Sequence, residues 1–352
     1  MTSKPPKKPD PDSAMLALRY PFDQGLAALD TEARILFVNP LALEGGLPGD
    51  AAQTDLWQWW KHAAGALSGE GRLLPVSGPE AGESYDAALI RLPRQREEGQ
   101  FLIASAWARL KPGGLLMVAA ANDSGGARLE KDLHWLEGAQ SASKYKSRVV
   151  WGYKDAQSPC PAAWEQEGAL RKNPRTGLWT QAGLFSWDRI DPATALLLPY
   201  LPRGFGGAAA DLGCGYGALS LRLLEQNPRL KSLSCVDADG RALLASAKNV
   251  EEFFPHARVD YHWLDLGHVL AKPVFGPVDL IVMNPPFHAE KALAIDTGQA
   301  FIANAAAALK KQGQLLMVAN AHLPYEKLLA QSFAGVEKKF EGQGFKIFAA
   351  RK

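Results

Sequence analysis

The feature that most restricts the fold is an internal repeat: a stretch of the first half of the chain recurs in the second at an offset of about 200 residues. Gly99-Gln-Phe-Leu-Ile-Ala-Ser-Ala, followed by Leu110-Lys-Pro-Gly-Gly-Leu-Leu-Met-Val-Ala, parallels Gly298-Gln-Ala-Phe-Ile-Ala-Asn-Ala and the later Lys311-Gln-Gly-Gln-Leu-Leu-Met-Val-Ala. One inserted residue near Lys310 keeps the two parts in register. Each copy follows an aspartate and an apolar run, Asp86-Ala-Ala-Leu-Ile and Asp279-Leu-Ile-Val-Met. A strand, a helix, a glycine turn and a second strand make a βαβ crossover, which implies a parallel sheet covered by helices on both faces. Duplication of that unit predicts two tandem doubly wound α/β domains. The length agrees, because 352 residues exceed what one core usually organises. The expected boundaries are a basic tail over 1–13, a first domain over 14–155, a linker over 156–175 rich in charge and proline (Pro159, Pro161, Pro174), and a second domain over 176–352.

Composition removes several classes of function. With 47% hydrophobic and 22% charged residues the chain is neither disordered nor fibrous. The lack of an apolar run of about 18 residues, and an N-terminus of Lys and Pro, point to a cytoplasmic protein with no membrane partner. Cys160, Cys214 and Cys235 show no Cys-x-x-Cys spacing, so neither a disulfide framework nor a metal site is expected. The net charge of +2 gives no global attraction to nucleic acid. Basic residues cluster locally instead, and are expected to hold the phosphates of a nucleic acid: Lys4, Lys7 and Lys8; a group from Lys144 to Arg175; and Lys338, Lys339, Lys346, Arg351 and Lys352 near the end.

The chemistry is expected in the second half. Ala208-Ala-Ala-Asp211-Leu-Gly213-Cys-Gly215-Tyr-Gly217 reads as a strand running into a glycine turn that opens a helix. Such a turn brings a nucleotide-like ligand against exposed backbone at a helix N-terminus. Asp237 closes the next strand, 20 residues past Gly217, where an acid meets ribose hydroxyls. Asp265 closes a third strand, open between a cofactor contact and a simple turn cap. The Gly-x-Gly-x-Gly spacing disfavours a dehydrogenase, and no Gly-Lys-Ser or Gly-Lys-Thr is present to make a P-loop. The fourth strand ends in Asn284-Pro285-Pro286-Phe287. There the Asn284 amide oxygen and the Pro285 carbonyl form an acceptor pair for one planar NH₂ group, and Phe287 offers a face for a base. The first half has Ile35-Leu-Phe-Val-Asn-Pro40 in place of the glycine turn and Arg91-Leu-Pro-Arg in place of the tetrapeptide.

Asp-x-Gly-x-Gly-x-Gly with Asn-Pro-Pro-Phe resembles the class I S-adenosylmethionine-dependent methyltransferases that modify exocyclic or amide nitrogens. More narrowly, Gly183-Leu-Phe-Ser186 with Asp191, Asn284-Pro-Pro-Phe-His288, Ala319-Asn-Ala-His-Leu-Pro-Tyr325 and Gly344-Phe-Lys-Ile-Phe are similar to the bacterial ribosomal RNA guanine-N2 methyltransferases of the small-subunit family. The resemblance implies two Rossmann-like domains, the first degenerate. It implies S-adenosyl-L-methionine as cofactor across Asp211 and Gly213 to Gly217, Phe185 and Asp191 near it, and ribosomal RNA or the small ribosomal subunit as partner. Asn-Pro-Pro-aromatic also serves adenine-N6 and protein glutamine methyltransferases; a large-subunit RNA enzyme and an RNA-binding scaffold are further alternatives. His288 is open between proton carriage, a phosphate contact and an exposed turn.

Overall fold

The apolar runs become strands because both of their faces are covered, which removes the apolar–polar alternation of a one-sided sheet. In the computed structural model, which describes residues 12–155, 159–286 and 291–352, the chain divides into two units between Ala169 and Leu170.

In the first unit β1 (Ile35–Val38), β2 (Thr54–Trp57), β3 (Arg72–Leu73), β4 (Tyr85–Arg91), β5 (Leu110–Ala121), β6 (Gln140–Lys144) and β7 (Ser147–Tyr153) form one sheet in the order β3-β2-β1-β4-β5-β7-β6. The helices of this unit are α1 (Ser13–Asp23), α2 (Lys61–Ala66), α3 (Arg96–Arg109), α4 (Leu129–Asp132) and α5 (Ala163–Gly168). The second unit opens with a hairpin of β8 (Arg171–Lys172) and β9 (Trp179–Thr180). Its sheet consists of β10 (Ala208–Leu212), β11 (Ser232–Asp237), β12 (Val259–Trp263), β13 (Val278–Met283), β14 (Leu309–Asn320), β15 (Gly335–Gly342) and β16 (Phe345–Arg351), in the order β12-β11-β10-β13-β14-β16-β15. Helices α6 (Pro192–Leu197), α7 (Ala218–Gln226), α8 (Gly240–Phe253) and α9 (Lys291–Ala308) accompany it. In both sheets the first five strands pair in parallel and the last two are antiparallel.

The two sheets agree down to an irregularity. The register of β4 on β5 shifts between Tyr85 and Ala87, and that of β13 on β14 shifts between Val278 and Leu280. The expected inserted residue near Lys310 is absent. Tyr85 lies opposite Leu110 and Ala88 opposite Leu116, while Val278 lies opposite Leu309 and Ile281 opposite Leu315. Leu116 therefore corresponds to Leu315, and the two Leu-Leu-Met-Val runs are one residue out of step. Leu116 packs with α3 residues Leu102 and Ile103, as Leu315 packs with α9 residues Phe301 and Ile302. A one-residue slip moves every side chain to the opposite face, but with both faces apolar the composition does not betray it.

The segment expected as a linker is, where described, part of the two units. Gly168 of α5 lies so close to α3 that a Cβ would stand 2.2 Å from Phe101 Cβ and 2.6 Å from the Glu97 carbonyl. Trp164 is 8% exposed and meets Trp135 edge-on at 6.0 Å, and Trp135 meets Trp107 at 4.9 Å. The prolines and charges that made this stretch look like a tether flank an aromatic anchor. Residues 1–11 of the basic tail, with its three lysines, and Phe287 and His288 lie outside the described residues, while Asp12 and Ser13, expected in the tail, open α1 of the first unit. Among the described residues no helix is long and apolar enough to cross a membrane.

Trp164→Ala is expected to destabilise the first unit by about 3 kcal/mol, the usual cost of deleting a packed tryptophan ring. Urea unfolding followed by circular dichroism checks this, and an unchanged midpoint would contradict the anchoring role.

Candidate active site

In an open parallel sheet a ligand crevice opens where the strand order reverses, at the carboxyl ends of the two strands that part there. In the second unit those strands are β10 and β13, neighbours with Leu212 opposite Met283. The residues that follow are Gly213 and Asn284, so the pairing alone sets the glycine turn beside the tetrapeptide. A cleft of about 400 Å³ lies there, lined by Phe185, Ser186, Asp191, Thr194, Gly213 to Tyr216, Ala218, Leu219 and Asn284.

The turn is held from several sides. The amides of Gly213 and Cys214 both donate to the Val236 carbonyl, at 2.8 and 3.0 Å. Gly215 donates to Asp237 Oδ2 at 2.8 Å. The Asn249 side-chain NH₂ on α8 donates to the Tyr216 carbonyl at 2.9 Å. Gly217 caps α7 with φ +94°, and a Cβ there would stand 2.7 Å from Ser246 Oγ, so any other residue would be strained. A Cβ on Gly215 would meet no atom within 4 Å, so this backbone lies open to a ligand.

Asp211 is placed differently from the sequence expectation. It is 0% exposed, under the turn and not on the cleft wall. Its Oδ2 accepts from Ser220 Oγ at 2.7 Å, and its Oδ1 has no partner among the described residues. Burial, aided by the Asp237 charge, pushes its carboxyl up to about 7. Asp237 is half-buried at the end of β11, and burial raises its carboxyl to about 6 against the hydrogen bonds from the Asp239 and Gly215 amides. Asp265 Oδ1 accepts from the Gly267 amide at 2.8 Å, the geometry of a turn cap, and the residue is not among those lining the cleft. Phe185 stands at the cleft and is 49% exposed.

Asp191 is 8% exposed and caps α6, its Oδ2 accepting from the Thr194 amide at 2.8 Å. The Asn284 NH₂ group donates to Asp191 Oδ2 and to Thr194 Oγ1, both at 2.9 Å. Because a carboxylate only accepts, these bonds assign the nitrogen and the oxygen of the amide. Asn284 Oδ1 is left buried with no partner among the described residues. Pro285 beside it is buried and Pro286 exposed. Thr194 escaped the sequence reading. Asp191-Pro-Ala-Thr marks a helix start, but nothing local shows that its side chains reach a residue some 90 positions away.

The first unit carries the same places with different residues. Val38 lies opposite Trp57 and Ile90, as Leu212 lies opposite Val236 and Met283, so Asn39, Gln58 and Arg91 stand where Gly213, Asp237 and Asn284 do. Gln58 Nε2 donates to the Pro40 carbonyl at 2.7 Å and to Asn39 Oδ1 at 3.3 Å, and Asn39 Nδ2 donates to the Arg91 carbonyl at 3.1 Å. The polar groups close on one another.

Several basic residues expected to hold phosphate have partners inside the protein. Lys338 and Lys339 pair with Glu341 and Glu337, Lys346 with Glu326, and Lys172 with Glu252. Lys154 donates to the carbonyls of Trp107 and Leu110, and burial lowers its pKa.

The family model for the methyltransferase small domain matches residues 175–349. A protein of Shewanella halifaxensis named ribosomal RNA small subunit methyltransferase C is 30% identical over 272 residues, 76% of this chain and 77% of that one. The chain belongs to the ribosomal RNA small subunit methyltransferase C family. The family's Yersinia enterocolitica member is 29% identical over 339 residues, 90% of either chain. The solved structure of the T. thermophilus 16S rRNA N2 G1207 methyltransferase, in complex with AdoMet and guanosine, has the same fold, with a TM-score of 0.75 at 24% identity over 99% of this chain and 94% of that one. Membership makes the protein an S-adenosylmethionine-dependent methyltransferase, and the open Gly215 backbone and free Asn284 acceptor in one cleft suit that cofactor and an amine.

Asp211 also gives a pH signature. Its folded pKa lies above its unfolded value, so its contribution to stability is fully present below about pH 4 and is lost as pH rises through about 7. Asp211→Asn keeps an acceptor for Ser220 and is expected to flatten the fall in melting temperature of the second unit between pH 5 and pH 8. Parallel curves for the two proteins in differential scanning calorimetry would contradict it.

Proposed function

We propose that the second unit transfers the methyl group of S-adenosylmethionine to the exocyclic N2 of a guanine in small-subunit ribosomal RNA. The observation that carries this reading is the buried, unpartnered Asn284 Oδ1 beside the glycine turn. Guanine N2 is a poor nucleophile because its lone pair is delocalised into the ring. Asn284 Oδ1 and the Pro285 carbonyl accept the amine's two N–H bonds and favour a pyramidal nitrogen with its lone pair free, an interaction stronger in the transition state than before it.

Gly213, Gly215 and Gly217 would hold the cofactor through their backbone, and Asp237 its hydroxyls. The bound cofactor supplies a methyl group on a positively charged sulfur that leaves as a neutral thioether. The chain's part is mostly alignment. No strong base is required, since a nitrogen that has gained a fourth bond yields its proton to water. Phe287, outside the described residues, is the proposed stacking face. The base must be unpaired or extruded to enter, which suits RNA recognised through loops and shape in the cytoplasm. The first unit, its equivalent positions closed by Gln58, Asn39 and Arg91, serves the RNA and not the cofactor. The choice of guanine follows the relatives, one of which is named for N2 of G1207 and was solved with guanosine.

Asn284→Ala is expected to lower kcat by about 10² while leaving cofactor affinity nearly intact, as when a transition-state acceptor is lost. Asp237→Ala should instead weaken cofactor binding in calorimetry. The deciding experiment labels ribosomal subunits with methyl-labelled S-adenosylmethionine and analyses the nucleosides. N2-methylguanosine from small-subunit material is the expected product; N6-methyladenosine, methylglutamine or label confined to large-subunit RNA would overturn the reading.

A further inference from the structure

The side chain of Asn284 is a planar amide whose two ends have nearly the same shape, and only the oxygen end serves an amine. What decides which end faces the cleft lies on another element. Asp191 Oδ2 and Thr194 Oγ1 both take the NH₂ group. Turning the amide over would set its oxygen against a carboxylate that has no hydrogen to give. Asp191 cannot follow, because it caps α6 through the Thr194 amide, and α6 is anchored by buried Ala193 and Leu197. We propose that Asp191, with Thr194, is a positioning residue that locks the Asn284 oxygen toward the reacting amine; this rests on the reading above that Asn284 accepts from the substrate.

The first unit supplies an independent observation. Asp12 caps α1, accepting from the Met15 amide at 3.0 Å, and with its other oxygen takes Arg91 Nη2 at 2.8 Å. Arg91 stands where Asn284 stands. The bridge from a helix-capping aspartate to the residue after the fourth strand is thus common to both sheets. It yields an outward acceptor only where that residue is an amide. With an arginine, the bridge ends as an ion pair.

The lock makes a paired prediction, because one oxygen of Asp191 both caps α6 and takes the Asn284 NH₂ group. Asp191→Ser keeps a hydroxyl cap on α6 but removes the carboxylate that receives the NH₂ group, so the amide is free to turn. The expected result is a fall in kcat of about tenfold or more, with melting temperature and S-adenosylmethionine affinity near those of wild type. Asp191→Asn has its oxygen fixed by the Thr194 amide, so that oxygen still accepts from Asn284, and kcat should stay within about threefold of wild type. Should Asp191→Ser fail to fold, Thr194→Val removes the second acceptor of the NH₂ group while leaving the capping amide in place, and a loss confined to kcat is again expected. Wild-type kcat in folded Asp191→Ser, or Asp191→Asn as slow as Asp191→Ser, would overturn the lock. Wild-type enzyme assayed alongside separates the two ideas: absence of N2-methylguanosine there sinks the functional reading, whereas a fully active Asp191→Ser beside an active wild type sinks the lock alone.

Discussion

The parallel pairing of β10 with β13 is the constraint on which the rest of the second unit depends. With Leu212 opposite Met283, two residues more than 70 positions apart leave the sheet side by side, one into a glycine turn and one into a proline-stiffened tetrapeptide. β10 also pairs with β11, so the end of the neighbouring strand brings Asp237 within hydrogen-bonding reach of the turn. Everything chemical in the unit hangs on these strand ends. Apolar layers cover both faces of the sheet there, with Leu212 and Met283 in one and Ala209 and Val282 in the other.

The comparison of the two units separates what a scaffold needs from what a site needs. Strand order, the register shift in the fourth strand and the aspartate cap bridging to its end are the same in both. The difference lies in a few side chains at the strand ends. Asn39 takes positive φ where Gly213 does, at 56° against 72°, so the backbone still turns, but its side chain now fills and satisfies the corner. Gln58 replaces an acid with an amide that bonds back to Asn39 and Pro40. In the second unit a carboxyl oxygen of Asp211 and the amide oxygen of Asn284 are buried and unpaired among the described residues. Unmet polar groups are costly in a protein interior, and the Asn284 oxygen, on a residue that lines the cleft, suits a place kept for a ligand.

Local pattern carried a great deal. The repeat, the doubly wound architecture in duplicate, the glycine turn and the strand-end tetrapeptide could all be read from the chain, because glycine spacing and apolar runs report the backbone directly. The same directness misled where a pattern was locally ambiguous. Leu115-Leu-Met-Val and Leu315-Leu-Met-Val look superposable, yet pairing with β4 and β13 sets them one residue apart. Proline and charge around 156–175 hid Trp164, whose partners Trp135 and Trp107 lie far away in sequence. Lysines near the C-terminus promised a phosphate surface, and several are engaged by glutamates.

The sequence by itself determined the fold class and the residue types at the ends of β10, β11 and β13, since each follows from short-range spacing. Only the tertiary structure decided which atoms of those residues are available. Asp211, two positions before the turn, faces inward to Ser220; Asp265 caps its own turn; and Asn284 presents oxygen and not nitrogen because Asp191 and Thr194 have taken its NH₂ group. Those outcomes depend on hydrogen bonds between elements that no local spacing relates, and the orientation of a symmetric amide is fixed by its partners alone.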